Sequence, residues 1–227
     1  MTPYSSNKVT GTSKDSLISD IYLMDCIEGM KQYPDNHFDL AIVDPPYGID
    51  LANMNMGIGK SKKASKAKNR KWKAKNWDEE VPNQEYFKEL FRVSKNQIIW
   101  GGNYFNLGAC SNFITWDKEI PEGLSFSDVE FAWTSFSGAN KIFRYSAYKN
   151  KAEKFHPTQK PPELYKWRIH KYAKQGDKIL DTHLGSGSSR IAAYKGGFNF
   201  VGFEIDPEYI EKSTIRFNNH INQLTLF

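Results

Sequence analysis

Four consecutive residues, Asp44-Pro45-Pro46-Tyr47, carry the most specific chemistry in this sequence. An exocyclic amine on a nucleobase is a weak nucleophile, because its lone pair is delocalised into the ring. A carboxylate at Asp44 accepts one N–H of such an amine. The carbonyl of Pro45 accepts the other, since proline keeps its acceptor while lacking a donor. Together the two bonds draw the nitrogen toward tetrahedral geometry and aim its lone pair at an electrophile. The prolines hold the carbonyl rigid, so the geometry is set in advance. Tyr47 offers a ring on which a base stacks. A helix-capping aspartate in a strand-ending turn is the plainer alternative for these residues.

A second cluster runs from Asp181 to Ser188, with Glu204 beyond it. Gly185 and Gly187 make a tight turn in which backbone N–H groups approach a ligand with no Cβ in the way. Nineteen residues after Gly185, Glu204 falls at the tip of an apolar run, where a carboxylate takes the two hydroxyls of a ribose. A dinucleotide loop needs a small residue at position 190. Arg190 stands there and is expected to crowd both the helix packing and a pyrophosphate. The loop therefore suits a nucleoside without a diphosphate, a class that includes S-adenosylmethionine.

These residues need elements to hold them. Phe38 to Val43 is apolar and stops at two prolines, so it reads as a strand feeding a sharp loop. Gln84 to Val93 has helical spacing through Phe87, Leu90 and Phe91, and Gln97 to Trp100 reads as a strand before Gly101-Gly102. Phe113–Trp116, Val129–Trp133 and Lys141–Tyr145 are three further strand candidates, close enough for an antiparallel hairpin at a sheet edge. After His156 strands and helices alternate. Pro161-Pro162 opens a helix with Tyr165, Ile169, Tyr172 and Ala173 on one stripe, Lys178–Leu180 leads into the glycine loop, and Ser189–Lys195 forms a small-residue helix. Phe200–Phe203 is the next strand, and Pro207 starts a last helix with Ile210, Thr214 and Phe217 on one face. The expected fold class is α/β, a single Rossmann-like domain with a mostly parallel twisted sheet, helices on both faces and an antiparallel edge hairpin. Residues 1–18 are expected to be a flexible leader, and 19–227 the domain.

Composition bounds the rest. In 227 residues the aromatic share is 15%, enough to fill a core and to exclude wholesale disorder. No apolar run approaches the length of a membrane helix, and the polar start lacks a secretory signal, so a cytoplasmic setting is expected. Cys26 and Cys110 are too few and too far apart for a disulfide framework or a four-cysteine zinc site. His37, His156, His170, His183 and His220 form no zinc motif, so no metal is expected, and His183 reads as a loop histidine near the surface. Net charge is +5, yet nine basic residues and no acidic one lie between Lys60 and Lys75. They are Lys60, Lys62, Lys63, Lys66, Lys68, Arg70, Lys71, Lys73 and Lys75, interleaved with Trp72. Without them the chain is net acidic, so the basicity is a local device. Following the Asp44 loop directly, the run is expected to contact phosphates of DNA. A solvated loop is the bland alternative, and packing beneath that loop is the bland alternative for Trp72 and Trp77.

Taken in order, Asp44–Tyr47, His156-Pro157-Thr158-Gln159-Lys160-Pro161 and Asp181–Ser188 resemble the amino-methyltransferases of DNA with circularly permuted motifs, the β class, over about residues 20–215. The resemblance implies S-adenosylmethionine as cofactor, DNA as partner and catalysis by Asp44, Pro45, Pro46 and Tyr47. An aspartate at the first place is typical of the adenine N6 enzymes, a serine more usual for cytosine N4. It also implies that His156, Thr158 and Lys160 hold the methionine end, that Asp181, Leu184, Gly185, Ser186, Gly187 and Ser188 form the loop, and that Glu204 takes the ribose with Ile205 beside the adenine. Asp25 and Cys26 would meet the adenine edge, and Asp44 borders the cofactor. Where the family usually has Pro-Phe after the loop aspartate, this chain has Thr182-His183. The stretch 53–77 is then a basic insert and 105–150 a short target-recognition region, and the block Ile98–Trp133, with Gly102-Asn103-Tyr104-Phe105, Trp116-Asp117-Lys118 and Phe126-Ser127-Asp128, is similar to small phage-type members. Monomer and homodimer stay open. The alternatives are cytosine N4 methylation, a non-catalytic nucleic-acid binder with a structural Rossmann-like half, and a dinucleotide oxidoreductase, the last opposed by Arg190.

Overall fold

The computed structural model describes residues 1–9, 17–49, 80–122, 127–149 and 154–222. The run from Lys60 to Lys75, with Trp72 and Trp77, lies outside them, as does Phe126. The strands are β1 (Ser5–Val9), β2 (Leu17–Leu23), β3 (Leu40–Val43), β4 (Gln97–Trp100), β5 (Ile114–Asp117), β6 (Val129–Thr134), β7 (Lys141–Arg144), β8 (Lys178–Asp181) and β9 (Asn199–Glu204). The helices are α1 (Cys26–Met30), α2 (Gln84–Val93), α3 (Pro162–Tyr172), α4 (Ser188–Gly196) and α5 (Pro207–Asn222). They form one sheet in the order β1-β2-β9-β8-β3-β4-β6-β5-β7.

The five strands from β2 to β4 are mutually parallel. β3 and β4 are buried along their whole length, as parallel strands covered on both faces must be. Alternation then splits the core in two. Leu40, Ile42, Ile98, Trp100 and Ile179 face a cluster with Leu164, Tyr165, Ile169, Ala192, Ala193 and Ile210 from α3, α4 and α5. Ala41, Val43, Ile99 and Leu180 face the other side, with Met30 of α1 and Tyr86, Leu90 and Val93 of α2. The doubly covered, mostly parallel sheet is as expected.

Several details differ. β5 and β6 do pair antiparallel, but β7 joins β5 in parallel and takes the edge, so the hairpin is one strand in from it. Ser5–Val9, inside the expected loose leader, pairs antiparallel with β2. Arg190 explains how that edge is anchored. Its guanidinium is fully buried, donates to Ser19 Oγ (3.0 Å), the Ser19 carbonyl (2.9 Å) and Ser5 Oγ (3.3 Å), and lies 4.0 Å over the Phe217 ring. It points away from the glycine loop toward β1 and β2, so it does not crowd a ligand there. α2 buries Tyr86, Leu90 and Val93 and leaves Phe91 exposed, a face turned by one residue from the expected stripe. No described helix is long and apolar enough to cross a membrane.

Candidate active site

The C-terminal ends of β2, β3, β8 and β9 open into one cavity of about 610 Å³, a volume in the range of small-molecule sites. From the expected set, Asp25, Cys26, Asp44, Pro46, His156, Thr158, Lys160, Leu184, Gly185, Ser186, Glu204 and Ile205 line it. Five of the expected residues do not. Pro45 is buried between the wall residues Asp44 and Pro46 in the chain, Tyr47 is outside the lining, and Asp181, Gly187 and Ser188 support the loop. Asp181 accepts the Ser189 hydroxyl at 2.5 Å and the His183 N–H at 3.0 Å. Burial pushes its carboxyl up to about 7, against those two hydrogen bonds. Ser188 Oγ donates to the Lys160 carbonyl at 2.6 Å, which ties the loop to the segment before α3.

The glycine loop is held by the acid expected to meet a ribose. Gly185 has φ +49° and Gly187 φ +72°, conformations that favour glycine, and α4 begins at the next residue. Glu204 Oε2 accepts the Gly185 N–H at 2.7 Å, while Oε1 accepts the N–H groups of Ile205 and Asp206, both at 3.0 Å. Both oxygens are thus oriented by backbone, and the carboxylate lies on the cavity wall. Beside it, at the end of the neighbouring strand β2, Asp25 caps α1 by accepting from Ile27 and Glu28 N–H at 2.8 and 3.1 Å, so the capping role and a place at the cavity coexist in one side chain. Burial pushes the Cys26 thiol up to about 12, which keeps it a thiol and no nucleophile.

His183 is a loop residue of intermediate exposure, as expected, but it faces the cavity. It lines the cavity, and burial pushes its pKa down to about 4, so it is neutral. Its Nδ1 lies 2.9 Å from Thr182 Oγ1, which in turn shares a hydrogen bond of 2.7 Å with the Tyr86 hydroxyl. His156 and Thr158 pair at 3.1 Å between Nδ1 and Oγ1 on the same wall. The sequence reading missed Tyr86, Tyr165 and Tyr209, which the fold brings to the cavity or its support from three different helices. No local motif marks them. An aromatic on a helix face reads as core until its neighbours are known.

At the end of β3, Asp44 has both carboxylate oxygens engaged. Oδ1 accepts the Tyr47 hydroxyl at 2.6 Å and Oδ2 accepts the Lys160 ammonium at 2.5 Å. Burial pushes the Asp44 carboxyl up from its ordinary value, and Lys160 and Tyr47 pull it partly back. Lys160, only 3% exposed, was expected at the amino-acid end of the cofactor; its ammonium is instead on Asp44 and within 3.0 Å of Glu130 Oε2. Tyr47 stacks on Tyr104 with ring centroids 5.0 Å apart. Its other side is packed so tightly on Gly101 that a Cβ there would fall 2.2 Å from the ring.

Comparison with known proteins shows the family and the fold. A family profile described as DNA methylase matches residues 59–215. The type II methyltransferase M2.MboI of Moraxella bovis is 27% identical over 244 residues, covering 88% of this chain and 87% of the relative. The type II methyltransferase M.HpaI of Haemophilus parainfluenzae is 25% identical, covering 86% and 73%. Among solved structures, the M1.HpyAVI–SAM complex superposes with TM-score 0.56 at 22% identity, covering 86% of this chain and 98% of that one. The cytosine-N4-specific PvuII DNA methyltransferase does so with TM-score 0.57 at 14% identity, covering 90% and 91%.

Proposed function

This chain belongs to the DNA methylase family, and from that premise we propose that it transfers a methyl group from S-adenosylmethionine to the N6 amine of an adenine in DNA. The observation that carries the reading is a shared wall: Asp44 at the end of β3 and the Gly185–Glu204 pair from β8 and β9 line the same cavity. An amine acceptor and a nucleoside cradle thus face each other across one space. The order of the two, with the Asp44 strand ahead of the cofactor loop in the chain, fits the β class.

The cavity residues suit the cofactor. Glu204 presents an oriented carboxylate to ribose hydroxyls, Leu184 and Ile205 give apolar walls to an adenine, and Asp25 adds an acceptor at its edge. His156 and Thr158, paired with each other on the cavity wall, are the residues for the amino-acid end, since Lys160 is turned to Asp44. When bound, the cofactor supplies an electrophilic methyl on a sulfonium. The chain supplies the rest. Asp44 Oδ1 accepts one N–H of the target amine in place of the Tyr47 hydroxyl, and the Pro45 carbonyl accepts the other. The amine lone pair then points into the cavity, where a bound cofactor would place its methyl; Asp44 would take the proton that the nitrogen sheds on methylation, and no covalent enzyme intermediate would be needed. The high pKa of Cys26 is consistent with that.

The amine is paired inside a duplex, so the nucleotide must be extruded at a cost of a few kcal/mol. Stacking on an aromatic returns roughly 1–3 kcal/mol per base; Tyr47 is the ring beside Asp44, and a base that stacks on it takes the place of Tyr104. The basic run from Lys60 to Lys75 supplies phosphate contacts in this reading. Reversing its charge should weaken DNA binding and flatten the dependence of log K on log salt, because fewer counterions are released. An unchanged slope would remove the run from the interface.

Base identity rests on Asp44 standing where N4 enzymes more usually carry serine. Expression in a host without DNA methylation, followed by genome-wide mapping of modified bases, tests it. N6-methyladenine in a defined sequence word is the expected result. N4-methylcytosine would replace adenine by cytosine as the substrate, and no modified base at all would overturn the proposal.

A further inference from the structure

We infer that Glu130, on β6, is a positioning residue for transfer at Asp44: it anchors Lys160, and Lys160 holds one oxygen of the acceptor carboxylate so that the other is free to exchange ligands. The inference rests on methyl transfer at Asp44 as proposed above.

The geometry is a chain of charges across three neighbouring strands. Asp44 directly follows β3, Trp100 ends β4, and Glu130 lies on β6, in the sheet order β3-β4-β6. Lys160 reaches in from the segment before α3, its backbone carbonyl fixed by Ser188 Oγ. The Lys160 ammonium is 2.5 Å from Asp44 Oδ2 and 3.0 Å from Glu130 Oε2, and it lies 5.5 Å from the Trp100 ring and 5.6 Å from the Tyr47 ring. The far oxygen of Glu130 is 3.3 Å from Lys118 Nζ. Two carboxylates alternate with two ammonium groups, so the charges cancel.

A lysine head on a four-carbon stem has no preferred direction of its own. One acceptor would leave it free to swing. Asp44 Oδ2 and the Tyr47 hydroxyl, which accepts at 3.2 Å, together with the Glu130 carboxylate 3.0 Å away as a second charge partner, restrict its direction. Fixing Lys160 on Oδ2 leaves Oδ1 as the exchangeable position, and its present ligand, the Tyr47 hydroxyl, is a donor like the target amine. Replacing a hydroxyl donor by an N–H donor conserves the hydrogen bond, so the base enters without stranding a buried carboxylate.

The same arrangement sets the charge state of the acceptor. The groups that act on Asp44 are Lys160 from the α3 approach, Glu130 from β6, Tyr47 from its own loop, Tyr165 from α3, Tyr86 from α2 and Asp181 from β8. Burial raises the Asp44 carboxyl most, Lys160 lowers it, and Glu130 raises it further. Burial also opposes the charge on Lys160, but Asp44 and Glu130 outweigh it and hold the ammonium protonated. Lys160 and Lys118 likewise outweigh burial and keep Glu130 ionised.

The test is Glu130→Gln, with Glu130→Asp beside it, in the full chain acting on unmethylated genomic DNA. For Glu130→Gln, kcat is expected to fall by roughly tenfold to a hundredfold, as for a reacting group displaced by a fraction of an ångström. Cofactor affinity, by calorimetry with S-adenosylmethionine, should stay at the wild-type value, and Glu130→Asp should recover part of kcat. The acid limb of kcat against pH should move to lower pH, because a negative charge that raises the Asp44 carboxyl has gone. Infrared difference spectra, assigned by their loss in Asp44→Asn, read the same carboxyl titration without turnover. A downward move of that titration supports the inference even if the wild-type chain transfers no methyl group, an outcome that would defeat only the methyl-transfer reading. A fall in kcat with both the acid limb and the infrared titration unmoved would assign Glu130 to folding alone and overturn the inference, as would wild-type kcat in Glu130→Gln.

Discussion

Replacing Asp44 with alanine is expected to lower methyl transfer by about 10³-fold or more, the scale of removing a positioned proton acceptor or a key electrostatic group, while leaving cofactor affinity nearly unchanged. The acceptor lies at the β3 corner of the cavity, whereas the cofactor cradle is built from the loop after β8, from Glu204 and from Asp25. Nothing nearby substitutes for it. Glu130 is linked to it through the shared Lys160 ammonium, and Asp181 on the neighbouring β8 is engaged by Ser189 and the His183 N–H. The Glu130 carboxylate protects the fold in the variant, since the buried Lys160 ammonium keeps one acidic partner. Asp44→Asn makes the comparison at constant size. An asparagine that turns its oxygen to Lys160 presents its NH₂ toward the target amine, donor against donor, so this variant should be inactive too. Radiolabelled methyl transfer to unmethylated DNA, with calorimetry for the cofactor, reads both quantities. Near-normal turnover in either variant would show that the amine is activated elsewhere.

Gly185→Val should have the opposite signature: cofactor binding weakened by about tenfold to a hundredfold, and transfer recovered in part at high cofactor concentration. The φ of +49° at Gly185 is one that a β-branched residue adopts only at a cost of about 1–3 kcal/mol. Space is not the obstacle, because the nearest atom to an added Cβ, His156 Nε2, is 3.6 Å away. The backbone itself would shift, and with it the Gly185 N–H that orients Glu204. Each 1.4 kcal/mol is about a factor of ten in affinity, so the strain converts directly into the expected loss. Retained wild-type affinity would mean that the cofactor does not use this loop.

Much of this was legible because it is local. A strand ending at two prolines, a glycine turn between a strand and a helix, and an acid at the next strand's tip are each contained within a few residues, and backbone sterics dictate their shape. Hydrophobic runs of the right length likewise announced β3, β4, β8 and β9, and the strand–helix alternation after His156 announced the parallel sheet. The helix faces were less legible. Apolar spacing on α2 pointed to Phe87, Leu90 and Phe91, but packing on α1 and the sheet chose Tyr86, Leu90 and Val93.

What only the tertiary structure decided are the partners of charged groups. Arg190 looked like an obstacle beside the glycine loop, yet its long side chain runs to Ser19 and Ser5, 171 and 185 residues away in the chain. Lys160, in a motif expected to hold the cofactor, meets Asp44 across 116 residues. Glu130 occupies a strand position where alternation alone predicts solvent, and nothing around it in the chain distinguishes it. Backbone conformation is set by a residue and its neighbours, so sequence reports it. The destination of a flexible charged side chain is set by whichever opposite charge the fold brings within a few ångströms, and in this protein that was settled by the order of the strands.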